Sequence, residues 1–351
     1  MAISVQDARG LLTKGLVAVY KERPIVTSFL RSFFKVKESM TEKVSIEVRR
    51  GTEKIAVDVT RFDDGNLNIV SKSTEKLIKP PMYDEYIIAN EHELYNVAVG
   101  AMQTGQGETY FKQLVEGLAE EMSISVDKIE RAKEKQCADI LETGIITLTN
   151  NDNIDYGRKA ASLVAYSAAR DFSIATVNPK EVFLTALKFI REKGRAQGSV
   201  YNAILGGEVL SALLANPLFQ KEGDLKDWSL DQIKAPQRNS VGGTLHGQIS
   251  VGSYKVNLWT YPEIYDNASG VQVPYINEKK MVIMPESTNF VMAFAAVPQL
   301  IENGGIIPQK GAILMTEYFD MKKTAHEIHA KSCPVAIPVA VDQIHTTTVL
   351  N

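Results

Sequence analysis

Cysteine is almost missing from this chain. Cys137 and Cys333 are the only two in 351 residues. Two thiols so far apart read as reduced core residues of a cytosolic product, and they exclude a disulfide scaffold. A surplus of one charge is missing too. Lys and Arg number 39 against 42 Asp and Glu, a net charge of −3. That is too little positive charge for a protein that wraps nucleic acid by displacing counterions, although a wall that faces nucleic acid without gripping it is compatible. No apolar run approaches the ~20 residues of a membrane helix. No basic segment followed by an apolar one opens the chain, so the product is expected to stay in the cytoplasm where it is made. Internal repeats and low-complexity tracts are absent. The apolar fraction of 44% and charged fraction of 23% are those of a globular protein with material for one large domain or two modest ones.

Catalytic signatures are also scarce. There is no Walker-type phosphate loop and no Gly-x-Ser-x-Gly elbow. Gly105-Gln106-Gly107-Glu108-Thr109-Tyr110 lacks the third glycine of a dinucleotide fingerprint. His326-Glu327-Ile328-His329 spaces its histidines three apart. A zinc-protease helix needs four, and in a strand a spacing of three sends the two rings to opposite faces. Gly242-Gly243-Thr244-Leu245-His246-Gly247 reads as a loop ahead of hairpin strands. Neither cysteine has a sequence neighbour that would activate it, so both read as structural thiols. No aromatic-and-basic motif for RNA or single strands occurs.

What is present is a layout. Phe29-Leu30-Arg31-Ser32-Phe33-Phe34 concentrates three phenylalanines in six residues. They either join the chain's own core or form an arm buried against a neighbouring subunit. Val44, Ile46 and Val48 alternate with polar residues, as do Ile55, Val57 and Val59 beyond Gly51, a hairpin pattern. Residues 61–82 are polar and turn-rich, with Lys72, Glu75, Lys76 and Lys79, and read as a projecting loop. Phe111, Leu114, Leu118, Met122, Ile129, Ala132 and Ile140 predict one long amphipathic helix over about 108–142, stopped by Gly144. Ser123-Ile124-Ser125-Val126 is its weak point, where the sequence allows a bend or a break. Further on, Asn178-Pro179 caps a helix that ends at Gly194, and a second helix covers Gly207–Ala215. Gly252-Ser253 turns a hairpin. Strands are expected at Met281–Met284, Ala312–Phe319, Glu327–Ser332, Val335–Val341 and Ile344–Leu350. Pro334 and Pro338 place one of these at a sheet edge or bulge.

Three stretches resemble the phage lambda-type major capsid proteins. The first is Ser28-Phe29-Leu30-Arg31-Ser32-Phe33-Phe34 followed by Thr41-Glu42-Lys43-Val44. The second runs from Gly247-Gln248-Ile249-Ser250-Val251-Gly252-Ser253-Tyr254-Lys255-Val256 through Tyr261, Tyr265 and Pro274-Tyr275-Ile276 to Val282-Ile283-Met284-Pro285. The third is Ser332-Cys333-Pro334-Val335 with a last strand closing on Thr348-Val349. Their common order over most of the chain is more specific than any one of them, and residues 145–240 carry little of the likeness.

The resemblance implies an α+β HK97-like capsid fold. Residues 1–40 would be an N-terminal arm and 41–90 an extended loop. Residues 91–174 would form a peripheral domain with a long spine helix, 175–305 an axial domain, and 306–351 the return to the peripheral domain. It implies a major capsid protein of a tailed double-stranded DNA phage that assembles into hexamers and pentamers of an icosahedral head. Such a subunit has no cofactor, no metal and no enzymatic activity, and it ends in the virion. Candidate subunit-interface residues are Phe29, Leu30, Arg31, Phe33, Phe34, Glu75, Lys76 and Lys79. Phe33→Asp with Phe34→Asp is expected to spare the fold and block assembly. Gly51 and Gly65 are candidate hinges, and Lys72, Lys76 and Lys79 are the lysines available if subunits crosslink. With no helical extension ahead of the arm, a separate scaffolding protein is expected. A portal and a decoration protein are further partners, and packaged DNA faces the inner wall without sequence-specific contact. Two other readings are a tail-tube or decoration subunit, and a small-molecule enzyme whose site carries no known motif.

Overall fold

The computed structural model describes residues 26, 28–48, 74–90, 107–148, 153–225, 232–267, 269–300, 306–320 and 325–351. Their organising element is a single helix, Gly107–Glu142. At the usual rise its 36 residues span about 54 Å. The helix runs unbroken through Ser123–Val126. Ser123 Oγ donates to the Glu120 carbonyl at 2.5 Å, one turn back along the helix. Ser123 and Ser125 are buried, and Met122, Val126 and Ile129 pack with Ile328 and Ala330. Tertiary burial thus overrides the poor helix propensity of this stretch. Gly144 ends the helix in the left-handed region at φ +78, with its N–H on the Ile140 carbonyl at 3.0 Å.

Strands are numbered along the chain over the described residues. On the N-terminal half of the long helix lies an antiparallel sheet ordered β18 (Leu314–Asp320), β19 (Ala325–Ser332), β4 (Tyr83–Asn90). Residues 83–90 therefore belong to the helix-packed body and not to the extended loop in which they were expected. Their alternation sends Tyr83 and Ile87 to the helix and Asp84, Tyr86 and Ile88 outward. Against the C-terminal half lies a sheet ordered β1 (Phe34–Glu38), β15 (Phe290–Phe294), β20 (Pro334–Pro338). Phe290, Met292 and Phe294 share a core with Cys137, Ile140 and Leu141, so the chain has returned to the long helix before residue 305.

β20 is an edge strand, as Pro334 and Pro338 require. The long helix covers that edge through one side chain. Gln136 donates to the Pro334 carbonyl at 3.3 Å and to Tyr83 Oη at 3.0 Å, and its Oε1 accepts from Ala336 N at 3.1 Å. A single buried amide thus takes the place of a further strand, which leaves these backbone groups paired.

The third unit is a mixed sheet in the order β7 (Leu163–Val164), β21 (His345–Thr348), β14 (Lys280–Pro285), β8 (Val200–Leu205), β11 (Tyr254–Thr260), β10 (Thr244–Val251), β9 (Gln232–Arg238). Helices Pro179–Glu192, Gly207–Ala215 and Pro217–Leu225 belong to this unit. Phe183, Leu187 and Ile190 of the first enter a core with Tyr201, Val256 and Ile283 of the sheet. Asn178 Oδ1 caps that helix by accepting from Lys180 N at 3.0 Å. Gly252, at φ +61 in the first turn position, reverses β10 into β11. Thr244–Gly247, expected as loop, is strand with a bulge between Leu245 and Gly247.

Four ribbons complete the architecture: β2 (Val44–Val48) with β3 (Thr74–Ile78), β5 (Ile145–Ile146) with β6 (Ile154–Asp155), β12 (Ile264–Asp266) with β13 (Gln272–Pro274), and β16 (Val297–Leu300) with β17 (Ile306–Gln309). The partner of β2 is 74–78, a stretch read from composition as polar loop. Ile55, Val57 and Val59, like Gly51, Gly65 and Lys72, lie outside the described residues.

Candidate functional site

The candidate interface residues divide into two groups. Phe29, Leu30 and Phe34 are buried within their own molecule, at 2%, 0% and 5% exposure. Of the two destinations open to them in the sequence, the structure selects the chain's own core. Phe29 lies in an aromatic seat, with ring centroids 5.1 Å from Trp259, 5.6 Å from Tyr261 and 5.1 Å from Phe33. Gly243 floors that seat, since any Cβ there would overlap the Phe29 ring. This gives the glycine-rich stretch a purpose that its sequence did not disclose. Phe34 opens β1 and packs on Phe290 at 5.2 Å. The Phe33 carbonyl accepts from Thr288 Oγ1 at 2.7 Å. Aspartates at 33 and 34 would put charge into this core and unfold the subunit rather than spare it.

A carboxylate fastens the segment. Leu30–Phe33 is one turn of 3-10 helix, whose first N–H groups have no partner within the turn. Glu134, buried on the long helix, accepts from Leu30 N at 2.7 Å and from Arg31 N at 3.1 Å, and it also hydrogen-bonds the Tyr261 hydroxyl. One side chain therefore ties the Leu30–Phe33 turn, the long helix and the seven-stranded unit. Burial raises the Glu134 carboxyl above its ordinary value, partly opposed by the two backbone donors. The same burial, with the Glu134 charge, pushes the Tyr261 phenol well up. Beside this knot, Arg31 pairs with Glu130, and Glu130 accepts from buried Lys133 at 2.9 Å. Lys133 also reaches the Ala312 carbonyl at 3.3 Å and lies 5.0 Å over the Phe294 ring. Its desolvation lowers the ammonium pKa, which Glu130 opposes.

The second group lies on and beside strand β3. Glu75 and Lys76 sit on β3 opposite Glu47 and Ile46. Lys79 follows at the root of the ribbon and meets Glu42 at 3.0 Å, with both side chains about 70% exposed (72% and 71%). Such a pair contributes at most ~1 kcal/mol. The root itself is fixed by Val44 and Ile78, both buried.

The far end of the long helix carries the joint that sequence reasoning missed. Arg158, buried, donates to the Leu141 carbonyl at 2.9 Å, to Ser162 at 3.0 and 3.1 Å, and to Thr346 Oγ1 at 2.8 Å. A guanidinium on the last carbonyls of a helix satisfies orphan acceptors and opposes the dipole. Desolvation brings its pKa down to about 9. Glu142 adds bonds to Asn277 N at 2.5 Å and Lys280 Nζ at 3.1 Å.

The His326–His329 segment is strand β19. His329 Nδ1 meets Asp84 at 2.7 Å, and its ring stacks 5.0 Å from Tyr86. Among the described residues no group of three His, Cys, Asp or Glu side chains could hold a metal. Cys137 and Cys333 are buried, which pushes the first thiol well up and the second to about 11. A surface depression of about 530 Å³ beside Arg170, Phe189 and His345 has its imidazole held neutral, at about 4, by burial and by Arg158 and Arg170. Among the described residues no helix is long and apolar enough to cross a membrane.

A long helix that bridges separate cores, with sheets packed along it, is the layout of an HK97-like α+β capsid fold. A family model, phage major capsid protein E, matches residues 13–349. The chain belongs to this family, and as a major capsid protein of a tailed phage it is part of the virion. A prophage capsid protein of E. coli CFT073 shares the fold with a TM-score of 0.62 at 13% identity, over 99% of each chain. The mature capsid of bacteriophage PhiM1 gives a TM-score of 0.46 at 12% identity, covering 93% of this chain and 88% of that one. A phage-related protein of Bordetella bronchiseptica RB50 gives 0.48 at 9%, over 96% of each. No curated protein matches the chain.

Proposed function

We propose that the chain assembles into hexamers and pentamers of one icosahedral shell, and that it does so through appendages anchored on a rigid body. The observation that carries this reading is the β2–β3 ribbon. Buried Val44 and Ile78 hold its root, while Lys79 and Glu42 beside it stay exposed. A ribbon held so firmly at one end presents its length to a neighbour. Glu75, Lys76 and Lys79 set its register there more than they add affinity. In this reading the arm precedes Phe29 and the extended loop runs from Val44 to Ile78. The long helix is the spine of the peripheral domain, and the seven-stranded unit forms the axial domain around the hexamer and pentamer axes. Individually modest contacts let misplaced subunits leave, and their number makes the closed shell durable.

The protein acts as wall and not as catalyst. A near-neutral surface lets packaged duplex DNA slide, which a strongly basic wall would resist. A separate scaffolding protein, a portal and a decoration protein are the partners, and assembly takes place in the host cytoplasm. Negative-stain microscopy of the chain expressed with and without a candidate scaffold tests the reading. Closed shells are the expected product. Tubes, open rings or persistent monomers with the scaffold present contradict it.

A further inference from the structure

We infer that the depression between helix Pro179–Glu192 and the β7–β21 edge of the seven-stranded sheet binds a small molecule that has an apolar body and one carboxylate. The inference does not rest on the shell-building role proposed above. The cavity has a volume of about 530 Å³, within the range of roughly 300–1,000 Å³ that holds small ligands. Val164, Val177, Val182, Ala186 and Phe189 give it an apolar wall. Val182 and Ala186 are buried, and the other three are half-buried. Alternation along β21 sends His345 and Thr347 to one side of the sheet, and both line the cavity. The His345 ring centroid lies 5.4 Å from that of Phe189.

The buried polar groups of the wall are turned to one another. His345 Nδ1 and Thr347 Oγ1 share a hydrogen bond at 3.2 Å. Arg170, half-buried in the same wall, is different. A guanidinium has five N–H donors. Among the described residues Arg170 spends one of them, on the Ala165 carbonyl at 3.3 Å, and it forms no ion pair. Arg158 contrasts with it, since its donors go to Leu141, Ser162 and Thr346. The positive potential reaches the cavity floor. Burial first, then Arg158 and Arg170, hold the His345 ring neutral, with its pKa at about 4. Glu181, the lining residue of opposite sign, is exposed, so solvent screens it.

These features select the ligand. A guanidinium takes a carboxylate through two parallel N–H···O bonds, which are charge-assisted and stronger than neutral ones. An inorganic anion would use Arg170 and leave the apolar wall in water. A hydrocarbon would cover the wall and leave the donors unmatched. A molecule with both parts meets both needs, its carboxylate on Arg170 and its body against Phe189 and Val182.

The test is calorimetric titration of the full chain with sodium octanoate below its micelle concentration. Sodium acetate and octanamide serve as the head and the body alone. Octanoate is expected to bind at a single site per chain, and acetate and octanamide about tenfold or more weakly. Arg170→Gln is expected to keep the parental thermal midpoint, since the side chain makes one hydrogen bond, and to weaken octanoate binding about tenfold or more. Thr185→Trp, at an exposed position of the cavity wall, fills the space and abolishes binding. If one variant lowers the midpoint, the other decides. Octanoate that binds both variants as tightly as the parent is adsorbed elsewhere, and that result overturns the inference. So does a parent chain that binds no octanoate, or one that binds octanamide equally well.

Discussion

Glu134 is the residue on which the inside of the molecule turns. Its two oxygens serve two backbone N–H groups of the Leu30–Phe33 turn and the Tyr261 hydroxyl. Glu134→Ala leaves those donors buried without partners, each costing ~1–3 kcal/mol. Denaturant unfolding of the variant should show a loss of several kcal/mol. Hydrogen exchange should show faster exchange at Leu30 and Arg31 than in the rest of the core. An unchanged midpoint would mean that the turn is held by Phe29 alone. His345 supplies a pH signature. Burial first, then Arg158 and Arg170, lower its pKa from 6.5 to about 4. The unfolded chain therefore takes up this proton before the folded one does. The stability due to neutral His345 is complete above pH 6.5 and is lost as pH falls toward 4, by on the order of 3 kcal/mol at ~1.4 kcal/mol per unit. His345→Gln should flatten the stability curve across that window, measured by urea midpoints at stepped pH. Glu134 and His345 were both illegible in the sequence. One looks like any charged residue on an amphipathic helix, the other like any histidine in a strand, and only the fold reveals that each is desolvated.

At the scale of elements, the long helix was readable because seven apolar positions repeat at helical spacing and Gly144 stops it. The hairpin at Gly252, the Asn178 cap and the edge strand between Pro334 and Pro338 were readable for similarly local reasons. Pairings between distant segments were not. Ser45 against Leu77 and Phe34 against Phe290 are set by the whole fold, so β3 passed for loop and the 83–90 strand for part of an appendage. The long helix does not break at its weak stretch because propensity is a weak prior where a sheet packs over it. Gln136 belongs to the same class of long-range device, with one amide closing the open edge of β20. Gln136→Leu keeps the volume and removes the bonds. It should destabilise by about 1–3 kcal/mol, read from the shift in denaturant midpoint. A neutral result would show that water replaces the amide.

For the whole molecule, assembly function was legible from what the sequence lacked and from an order of motifs, while the division of labour among its parts was not. The phenylalanine cluster looked equally fit for a neighbour's surface. Its burial against Trp259, Gly243 and the long helix fixes it in the chain's own core. In the proposed reading the subunit combines an inner frame knotted at Glu134, Gln136 and Arg158 with ribbons that join it to its neighbours. A near-atomic reconstruction of the assembled particle tests this division most directly. In hexamers and pentamers alike, the account predicts Phe29 seated on Trp259 and Gly243 of its own chain while the β2–β3 ribbon lies on an adjacent subunit. Phe29 found in a neighbour's pocket, or the ribbon folded back on its own body, would contradict it.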